Sequence, residues 1–232
     1  MRFFRPRPRP GLETALDYRF SEAELLELAL THRSFANEKG LDQNNERLEF
    51  LGDSVLGMIS VKWLFDGNPE VSEGELSKLN GHLVSEPVLA DHARRLELGA
   101  EIRLGVGEDR SGGRHKPSIL ADTMEAVIGA VYLDGGLDSA RRVVVPMLEM
   151  ALVEDAGERL EDAKSRLQEM VQARGWELPS YRLVSEEGPD HRKSFVVECL
   201  VDGVAAGSGR GRSKKRAESR AAAEALVSLD KS

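Results

Sequence analysis

The sequence contains a single cysteine, Cys199, among 232 residues, so no disulfide can form within the chain. Structural disulfides belong to oxidising compartments, and their exclusion here is typical of a protein from the reducing cytoplasm. No apolar run approaches the roughly 18 residues that indicate a membrane-spanning helix. The first ten residues, MRFFRPRPRP, lack the apolar central region of a secretory signal. We therefore expect a cytoplasmic protein without a membrane segment.

Aromatic residues make up only 5% of the chain, and the motifs of several common enzyme classes are missing. The five histidines are scattered, without zinc-ligand spacing and without a cysteine partner. The sequence has no GxxxxGK[ST] phosphate loop, no GxSxG nucleophile motif and no GxGxxG at a strand–helix junction. These absences leave the charged residues as the candidates for chemistry.

Charge is distributed unevenly along the chain, whose net charge is −8. Residues 1–160 contain 19 Lys and Arg against 28 Asp and Glu, a net charge of −9, whereas residues 161–232 contain 13 against 12 and are net +1. This asymmetry suggests an acidic unit joined to a binding unit. We expect an extended, disordered Arg-Pro arm (1–12), a helical domain (13–153), a polar linker (154–162) and a smaller domain (163–232). The arm either contacts phosphates or is merely solvated.

Helix signals recur through the first 155 residues, which we expect to be almost entirely helical. Capping boxes at 21–24 and 72–75 predict two helix starts, because a serine three residues before a glutamate satisfies the first backbone N–H groups. The expected irregular positions are loops at 31–44 and 105–116, a break at 135–136 and a kink at Pro146.

The run NERLEFLGDSVL at residues 45–56 organises the first domain. Read as a helix, its apolar residues share one side and can be buried: Leu48, Leu51, Val55 and Ile59. Glu46, Glu49 and Asp53 lie together on another side, without a Lys or Arg. Because two like charges about 4 Å apart cost on the order of 4 kcal/mol at an effective dielectric of about 20, this arrangement suggests a nearby cation, either a metal ion or a basic side chain. A solvated helix face is the alternative.

Phe50 belongs to the same predicted helix but points away from its apolar side. Around the helix axis, Glu46 lies between Glu49 and Phe50. A phenylalanine beside acidic residues is either covered by another segment of its own chain or inserted into a partner. The sequence leaves both alternatives open, and a dimer contact is one form of the second.

Asp122 and Glu125 form a second acidic pair, three residues apart on a predicted helix at 119–133. Glu73 lies in the first turn of the helix that follows the 72–75 capping box. Because the helix dipole favours an acid in a first turn whatever its function, Glu73 and Asp122 each have a purely structural explanation. That the second acidic pair meets the first acidic face in space is a hypothesis.

Residues 163–232 differ in character and predict the order α-β-β-β-α. The segment 194–201 alternates cleanly between apolar and polar residues, which places Cys199 on an apolar face as an ordinary core residue. The Asp-Gly pair at 202–203 then predicts a tight hairpin turn.

Four basic residues lie at or beside the start of the last predicted helix: Arg212, Lys214, Lys215 and Arg216. The N–H groups of a helix N-terminus and the helix dipole favour a phosphate there, although a solvated basic face is the alternative. Tyr181 and Phe195 look structural, so few rings remain for base stacking. This disfavours single-strand readers and favours double-stranded RNA recognised by its shape.

Two acidic faces joined to a phosphate-binding unit have one economical explanation. Carboxylate oxygens are suited to Mg²⁺, and a bound metal activates water and stabilises charge on a scissile phosphate. The run at 45–56 is similar to the signature of bacterial ribonuclease III, and SILADTMEA at 118–126 resembles the second acidic motif of that family. The C-terminal unit resembles a double-stranded-RNA-binding domain. The resemblance covers nearly the whole chain apart from the arm.

The resemblance implies an all-α endonuclease domain followed by a small α+β domain. It implies a Mg²⁺-dependent homodimer that cuts double-stranded RNA, including rRNA and other structured precursors, and leaves 5′-phosphate and 3′-hydroxyl ends. The implied site consists of metal ligands Glu49, Asp122 and Glu125, catalytic acids Asp53 and Glu125, and supporting acids Glu46 and Glu73. Asp53 is expected to orient the network of the activated water.

The same resemblance places RNA contacts at Gln168, Glu169, His191, Lys214, Lys215 and Arg216. It assigns Phe50 to a socket on the partner subunit. Glu218 stands where many such domains carry a basic residue, so a slightly weaker grip is expected. The rival hypothesis is a non-cutting RNA-binding protein or chaperone, but a pure binder gains nothing from burying like charges against a phosphate.

Overall fold

A computed structural model describes residues 9–187 and 193–230, with side chains described throughout those ranges except at 154–161 and 230. The chain forms two compact units, unit 1 (Met1–Leu152) and unit 2 (Val153–Ser232). Each unit has a hydrophobic core of its own. None of the helices in the described ranges is both long and apolar enough to span a bilayer.

Unit 1 is built from helices. In chain order they are α1 (Pro10–Ala15), α2 (Ala23–Ala29), α3 (Arg33–Lys39), α4 (Glu46–Gly67), α5 (Glu73–Leu83), α6 (Glu86–Arg95), α7 (Leu98–Glu101), α8 (Val106–Arg110), a 3-10 helix (Gly113–His115) and α9 (Pro117–Ala173). In the described part of this unit the β pairing is limited to a single bridge between Thr31 and Arg103. The helical first domain expected from the sequence is confirmed.

Two predicted loops contain short helices. Helix α3 lies within 31–44, and α8 with the 3-10 helix lies within 105–116. Helix α3 has seven residues and α8 has five, which is too short for a helical period to be visible in the sequence. The start of α3 is also capped unusually, since His32 Nδ1 accepts the Ser34 N–H at 3.2 Å. Histidine is not among the residue types that mark helix starts.

The two predicted capping boxes have different outcomes. At α5 the Ser72 hydroxyl accepts the Glu75 N–H and the Glu75 carboxylate accepts the Ser72 N–H, as predicted. At α2 the prediction is wrong, because the helix begins without a side-chain cap. The Asp134 carboxylate instead accepts the Ser21 N–H at 2.9 Å and the Glu22 N–H at 2.8 Å. A charged acceptor supplied by the tertiary structure thus replaces the local cap.

Residues 10–12 of the arm that we expected to be disordered at 1–12 belong to a helix. Helix α1 begins at Pro10, whose fixed φ suits the first turn of a helix. Arg9 pairs with Glu27 at 3.0 Å and also with Glu101. Because Glu27 is only 1% exposed, this pairing anchors the end of the arm to the fold. The rest of the arm lies outside the described residues.

Helix α9 departs from the predicted boundaries. Gly136 has a φ of 74° and a ψ of −175°, which matches the break predicted at 135–136. Pro146 lies inside the helix, and the backbone there keeps helical dihedral angles. The helix therefore continues through the position of the predicted kink. The backbone at 154–162, expected to be a linker, is helical, because Glu, Ala, Arg and Leu favour a helix more than one glycine opposes it.

Unit 2 contains three antiparallel strands and a closing helix: β1 (Ser180–Glu187), β2 (Ser194–Val201), β3 (Val204–Gly211) and α10 (Lys214–Asp230). The strand order is β1-β2-β3. Asp202 and Gly203 both have positive φ, 48° and 75°, as a two-residue hairpin turn between twisted strands requires. The predicted α-β-β-β-α order is confirmed, with the first helix supplied by the C-terminal part of α9.

The core of unit 2 lies between the sheet and the helices. Val197, Cys199 and Val201 are no more than 5% exposed, so the predicted apolar side of β2 is confirmed. Cys199 packs with the alanines of α10, including Ala221 and Ala225. Burial raises the pKa of the Cys199 thiol, which keeps it protonated and unreactive, as expected of a core residue.

Candidate functional site

Helices α4 and α9 approach each other very closely at two glycines. A Cβ atom on Gly52 would lie 1.8 Å from the Glu125 carbonyl oxygen, and one on Gly129 would lie 2.3 Å from the Leu48 carbonyl oxygen. Both distances are far too short for any contact between non-bonded atoms, so only glycine permits this crossing. Because Asp53 follows Gly52, the crossing brings the acids of α4 beside Glu125. Sequence reasoning did not single out either glycine.

Burial determines which side of α4 faces the rest of unit 1. Leu48, Val55 and Ile59 are no more than 5% exposed, and Leu51 is partly buried against the same core. The apolar side predicted from the sequence is therefore confirmed. Glu49 lies off this buried side, and its carboxylate is close to those of Asp122 and Glu125 on α9.

Three side chains from the two helices form the carboxylate cluster, which consists of Glu49, Asp122 and Glu125. One oxygen from each lies within 4.8 Å of the others, and all three residues are partly buried. The hypothesis that the two acidic faces meet is therefore correct. Asp122 lies beyond the first turn of α9, which begins at residue 117, so its explanation as a dipole acid does not apply.

The carboxylates of the cluster are harder to ionise than free carboxylates. Burial, and then the charges of Asp53, Asp122 and Glu49, raise the pKa of Glu125 to about 7. These groups cannot all be ionised cheaply in a partly buried site. A divalent cation bound by their oxygens would reverse this effect by favouring the charged forms. The donor set therefore fits a hard metal ion.

A basic residue already opposes part of this repulsion. Burial, followed by the charges of Asp122 and Glu46, raises the pKa of Glu49, and Arg33 acts against the rise. Burial and then the charge of Glu86 raise the pKa of Asp122, and Arg33 again acts against it. Arg33 therefore lies within electrostatic range of two cluster carboxylates, and sequence reasoning missed it.

The remaining predicted acids lie outside the cluster. Asp53 is exposed on α4, and its charge is the strongest charged influence on Glu125. Glu46 accepts a hydrogen bond from the Asn44 side chain at 2.9 Å and lines a cavity beside the cluster. Glu73 is exposed in the first turn of α5, where it accepts the Ser77 hydroxyl at 2.8 Å.

The cavity beside the cluster has a volume of about 290 Å³. Its lining residues are His32, Arg33, Asn45, Glu46, Glu49, Glu108, Lys116, Ser118, Ile119 and Asp122. Acidic and hydrogen-bond-donating side chains thus line the same space. The sequence carries no signal for these donors, because His32 lacks zinc-ligand spacing and the segments 31–44 and 105–116 have the pattern of loops.

Phe50 is 78% exposed, so the described part of the chain does not cover it. It borders an apolar hollow of about 900 Å³ that is also lined by Leu25, Leu28, Leu51 and Leu133. An exposed aromatic ring beside an apolar hollow is typical of a protein–protein contact. Local covering, one of the two alternatives left by the sequence, is excluded within the described residues.

The predicted RNA contacts of unit 2 lie on its surface. Gln168 and Glu169 are exposed on α9 beside the buried Leu167. The basic end of α10 consists of Lys214, Lys215 and Arg216, which are also exposed. The Ser213 hydroxyl accepts the Arg216 N–H at 3.3 Å, so the predicted serine cap is present. His191 lies outside the described residues.

Glu218 has a structural partner. Its carboxylate accepts a hydrogen bond from Lys164 Nζ at 2.7 Å, and the same Nζ lies 4.3 Å from the centre of the Tyr181 ring. The pair joins the α9 segment of unit 2 to α10. Glu218 therefore stabilises the packing of this unit. The sequence indicated only that Glu218 stands where many such domains carry a basic residue.

Comparison with known proteins gives the family of each unit. Residues 22–151 match the family model described as Ribonuclease-III-like, and residues 163–229 match the Double-stranded RNA binding motif. Ribonuclease 3 of Pelotomaculum thermopropionicum is 49% identical over 223 residues, which cover 94% of this chain and 92% of that protein. Ribonuclease 3 of Streptomyces coelicolor is 50% identical over 222 residues, which cover 94% of this chain and 79% of that protein.

A solved structure supports the same assignment. The nuclease domain of ribonuclease III from Campylobacter jejuni is 43% identical and has a TM-score of 0.58, over 61% of this chain and 96% of that chain. The Ribonuclease-III-like model covers more than half of the chain, and relatives of nearly half identity cover almost all of it. The sequence resemblance is confirmed, and the chain belongs to the ribonuclease III family.

Proposed function

We propose that the chain is an endoribonuclease that hydrolyses phosphodiester bonds of double-stranded RNA and leaves 5′-phosphate and 3′-hydroxyl ends. The observation that carries this function is the carboxylate cluster at the α4–α9 crossing, in a chain that also contains a double-stranded RNA binding motif. A protein that only bound RNA would gain no affinity from repelling the phosphate with three partly buried acids.

Mg²⁺ is the proposed metal, with Glu49, Asp122 and Glu125 as its ligands. The support is the donor set, because Mg²⁺ prefers carboxylate oxygens and keeps several waters when few protein ligands hold it. When bound, the ion supplies an activated water and stabilises charge on the scissile phosphate. The raised pKa of Glu125 is consistent with a ligand that becomes fully ionised only when a cation is present.

Asp53 and Glu125 are proposed as the catalytic acids. Asp53 is exposed and close enough to influence Glu125, which suits a residue that holds water beside the cluster. Glu46 is proposed as a supporting acid, because it lines the adjoining cavity. Glu73 is proposed to contact RNA from α5, since the bond from Ser77 leaves its exposed carboxylate able to accept further hydrogen bonds.

The proposed RNA contacts follow the exposure of unit 2. Gln168 and Glu169 would meet one minor groove, and the loop that contains His191 would meet the next. The basic end of α10 would hold the intervening phosphates, supported by its position at a helix N-terminus. Such contacts read the shape of the duplex and carry little sequence information.

The proposed assembly is a homodimer in which Phe50 of each subunit fills the apolar hollow of the other. Support comes from the exposure of the ring and from the hollow beside it. The Campylobacter jejuni structure is described as having a region involved in dimer formation. Two sites in one dimer would each cut one strand. We place the enzyme in the cytoplasm, where it processes rRNA and other structured RNA precursors.

A duplex RNA incubated with the full chain tests the function. We expect cleavage with Mg²⁺, none with EDTA, and products that carry 5′-phosphate and 3′-hydroxyl ends. Glu125→Gln removes a ligand charge and should abolish cleavage while duplex binding persists. Glu149→Gln alters an exposed glutamate on the same helix and serves as the matched control. Binding without cleavage by the unaltered chain would favour the rival, a non-cutting RNA-binding protein.

A further inference from the structure

The cavity beside the carboxylate cluster has a second side that metal binding does not use. This donor side consists of His32, Arg33 and Lys116, and it faces the same space as Glu49 and Asp122. A volume of about 290 Å³ exceeds what a few ordered waters need, since each water occupies about 30 Å³ in the liquid. The space is therefore large enough for a polar ligand group that touches both sides.

His32 is held as a neutral hydrogen-bond donor. Its Nδ1 accepts the Ser34 N–H at 3.2 Å and lies 2.8 Å from the Ser34 hydroxyl oxygen. That oxygen also accepts the Gly105 N–H at 2.9 Å. Because Nδ1 accepts the Ser34 N–H, it carries no hydrogen of its own. The imidazole hydrogen must then be on Nε2. Burial lowers the pKa of His32, which keeps this form dominant at neutral pH.

The two cations of the donor side are held with different strength. Lys116 Nζ donates to the Glu108 carboxylate at 2.6 Å and to the Ser111 hydroxyl at 3.3 Å, so its position is well defined. Arg33 Nη1 lies 3.5 Å from a Glu46 oxygen, and the Arg33 side chain is 67% exposed. Arg33 can therefore change partner at little cost, because a loose surface ion pair contributes little stability.

We propose that the donor side binds a backbone phosphate next to the scissile one in the cut RNA strand, and that Arg33 compensates the cluster carboxylates until a metal ion replaces it. This inference rests on the proposed function. A metal ion held by the cluster would weaken the attraction of Arg33 to the acids. The planar guanidinium of Arg33 would then be available to pair with two oxygens of a phosphate. His32 and Lys116 supply the remaining hydrogen bonds.

Metal binding without RNA gives a test that a purely structural residue would not pass. Arg33→Ala removes the compensating charge, so Mg²⁺ affinity measured by isothermal titration calorimetry should increase by about three- to tenfold. Arg33→Lys keeps the charge and should bind Mg²⁺ nearly as the unaltered chain does. Arg94→Ala, which removes an exposed arginine paired with Asp91, is the control. Unchanged or weaker Mg²⁺ binding by Arg33→Ala would refute the compensating role.

Cleavage of modified RNA tests the phosphate contact itself. A duplex with one uncharged linkage beside the scissile phosphate should be cut more slowly in single-turnover reactions by the unaltered chain. Arg33→Ala and Lys116→Ala should slow cleavage of ordinary RNA, but the uncharged linkage should add little to their effect, because the same contact is lost once. The uncharged linkage can be placed on either side of the scissile phosphate. If at both positions its effect on the cleavage rate multiplies with that of the substitution, the donor side does not bind either phosphate and the proposal is refuted.

The outcomes separate this inference from the proposed function. If the unaltered chain cuts duplex RNA but the variants show neither effect, the function stands and the subsite is refuted. If the unaltered chain does not cut duplex RNA, the function fails, and with it the assignment of an RNA phosphate to the donor side.

Discussion

Units 1 and 2 each carry a cluster of like charges, but they hold it in opposite ways. In unit 1 the carboxylate cluster is partly buried, its oxygens lie within 4.8 Å of one another, and burial raises the pKa values of its members. In unit 2 the basic end of α10 is exposed. Desolvated like charges need an ion in order to be charged together, whereas exposed cations are solvated by water at little cost.

The two clusters of charge depend on tertiary packing to different degrees. The carboxylate cluster exists only because two helices cross at a pair of glycines, so a small change in the crossing should change its chemistry. The basic end of α10 depends on one helix start and its serine cap, so its binding should be insensitive to packing elsewhere. The first arrangement suits chemistry on one phosphate, and the second suits a reversible grip on several.

The largest expected effect is a loss of cleavage caused by widening the crossing of α4 and α9 in unit 1. Gly52→Ala would place a methyl group 1.8 Å from the Glu125 carbonyl oxygen. Since a displacement of about 1 Å in a catalytic site costs on the order of 100-fold, we expect at least that loss of cleavage rate, with duplex binding retained. Single-turnover cleavage and filter binding measure the two effects.

Gly57→Ala is the matched control for that variant. Gly57 lies on the same helix, and a Cβ atom there meets nothing within 4 Å. Because alanine is the better helix former by about 0.5–1 kcal/mol, this control should raise the melting temperature and leave cleavage unchanged. Equal activity of the two variants would show that the close crossing does not position the acids.

Phe50→Ala tests whether unit 1 also depends on a second subunit. If the ring fills a hollow in the partner, its loss should weaken the dimer by about 30-fold or more, as measured by sedimentation at several concentrations. Val204→Ala removes an exposed apolar side chain from unit 2 and should leave the dissociation constant unchanged. An unaltered dimer constant in Phe50→Ala would exclude the proposed contact.

Removing charge from unit 2 should affect binding without affecting the metal site. Lys214→Ala combined with Lys215→Ala should weaken duplex binding by about tenfold at low salt and reduce the slope of log affinity against log salt by up to about 2. Mg²⁺ affinity measured without RNA should not change. Arg182→Ala, an exposed cation paired with Glu198 on the sheet, is the control. Equal affinity at every salt concentration would remove these lysines from the interface.

The smallest expected effect is on stability as pH changes. The pKa of Glu125 is about 7 in the folded chain and near 4.5 when unfolded, so the folded chain binds more protons between these values. Stability of metal-free unit 1 should therefore fall as pH rises from about 5 to 7. Thermal unfolding in EDTA should show this fall, and Glu125→Gln should flatten it. A fall equally steep in Glu125→Gln would assign it to other groups.

Sequence patterns were reliable where one local rule decided the outcome. The apolar side of α4, the Ser72 capping box and the Asp-Gly turn at 202–203 each follow from neighbouring residues. They failed where a distant partner supplied a stronger bond. Asp134 replaced the predicted cap of α2, and Glu27 ordered the end of the Arg-Pro arm.

The candidate site divides in the same way. The two acidic faces could be recognised from the sequence, because their residues recur at helical spacing. Their roles as metal ligands and catalytic acids follow from the resemblance to ribonuclease III and stay predictions. The donor side could not be recognised, because His32, Arg33 and Lys116 belong to segments interpreted as loops. Glu218 likewise acquired its meaning from Lys164, which lies 54 residues away.

The sequence by itself determined the helical and α-β-β-β-α units, the acids and cations that they carry, and the family. Periodicity, capping and turn chemistry act over a few residues, so they can be read without coordinates. Only the tertiary structure decided that Glu49, Asp122 and Glu125 meet, and that a donor side faces them across one cavity. The reason is that two glycines let α4 and α9 approach almost to backbone contact, and a distance between helices is not a property of either helix alone.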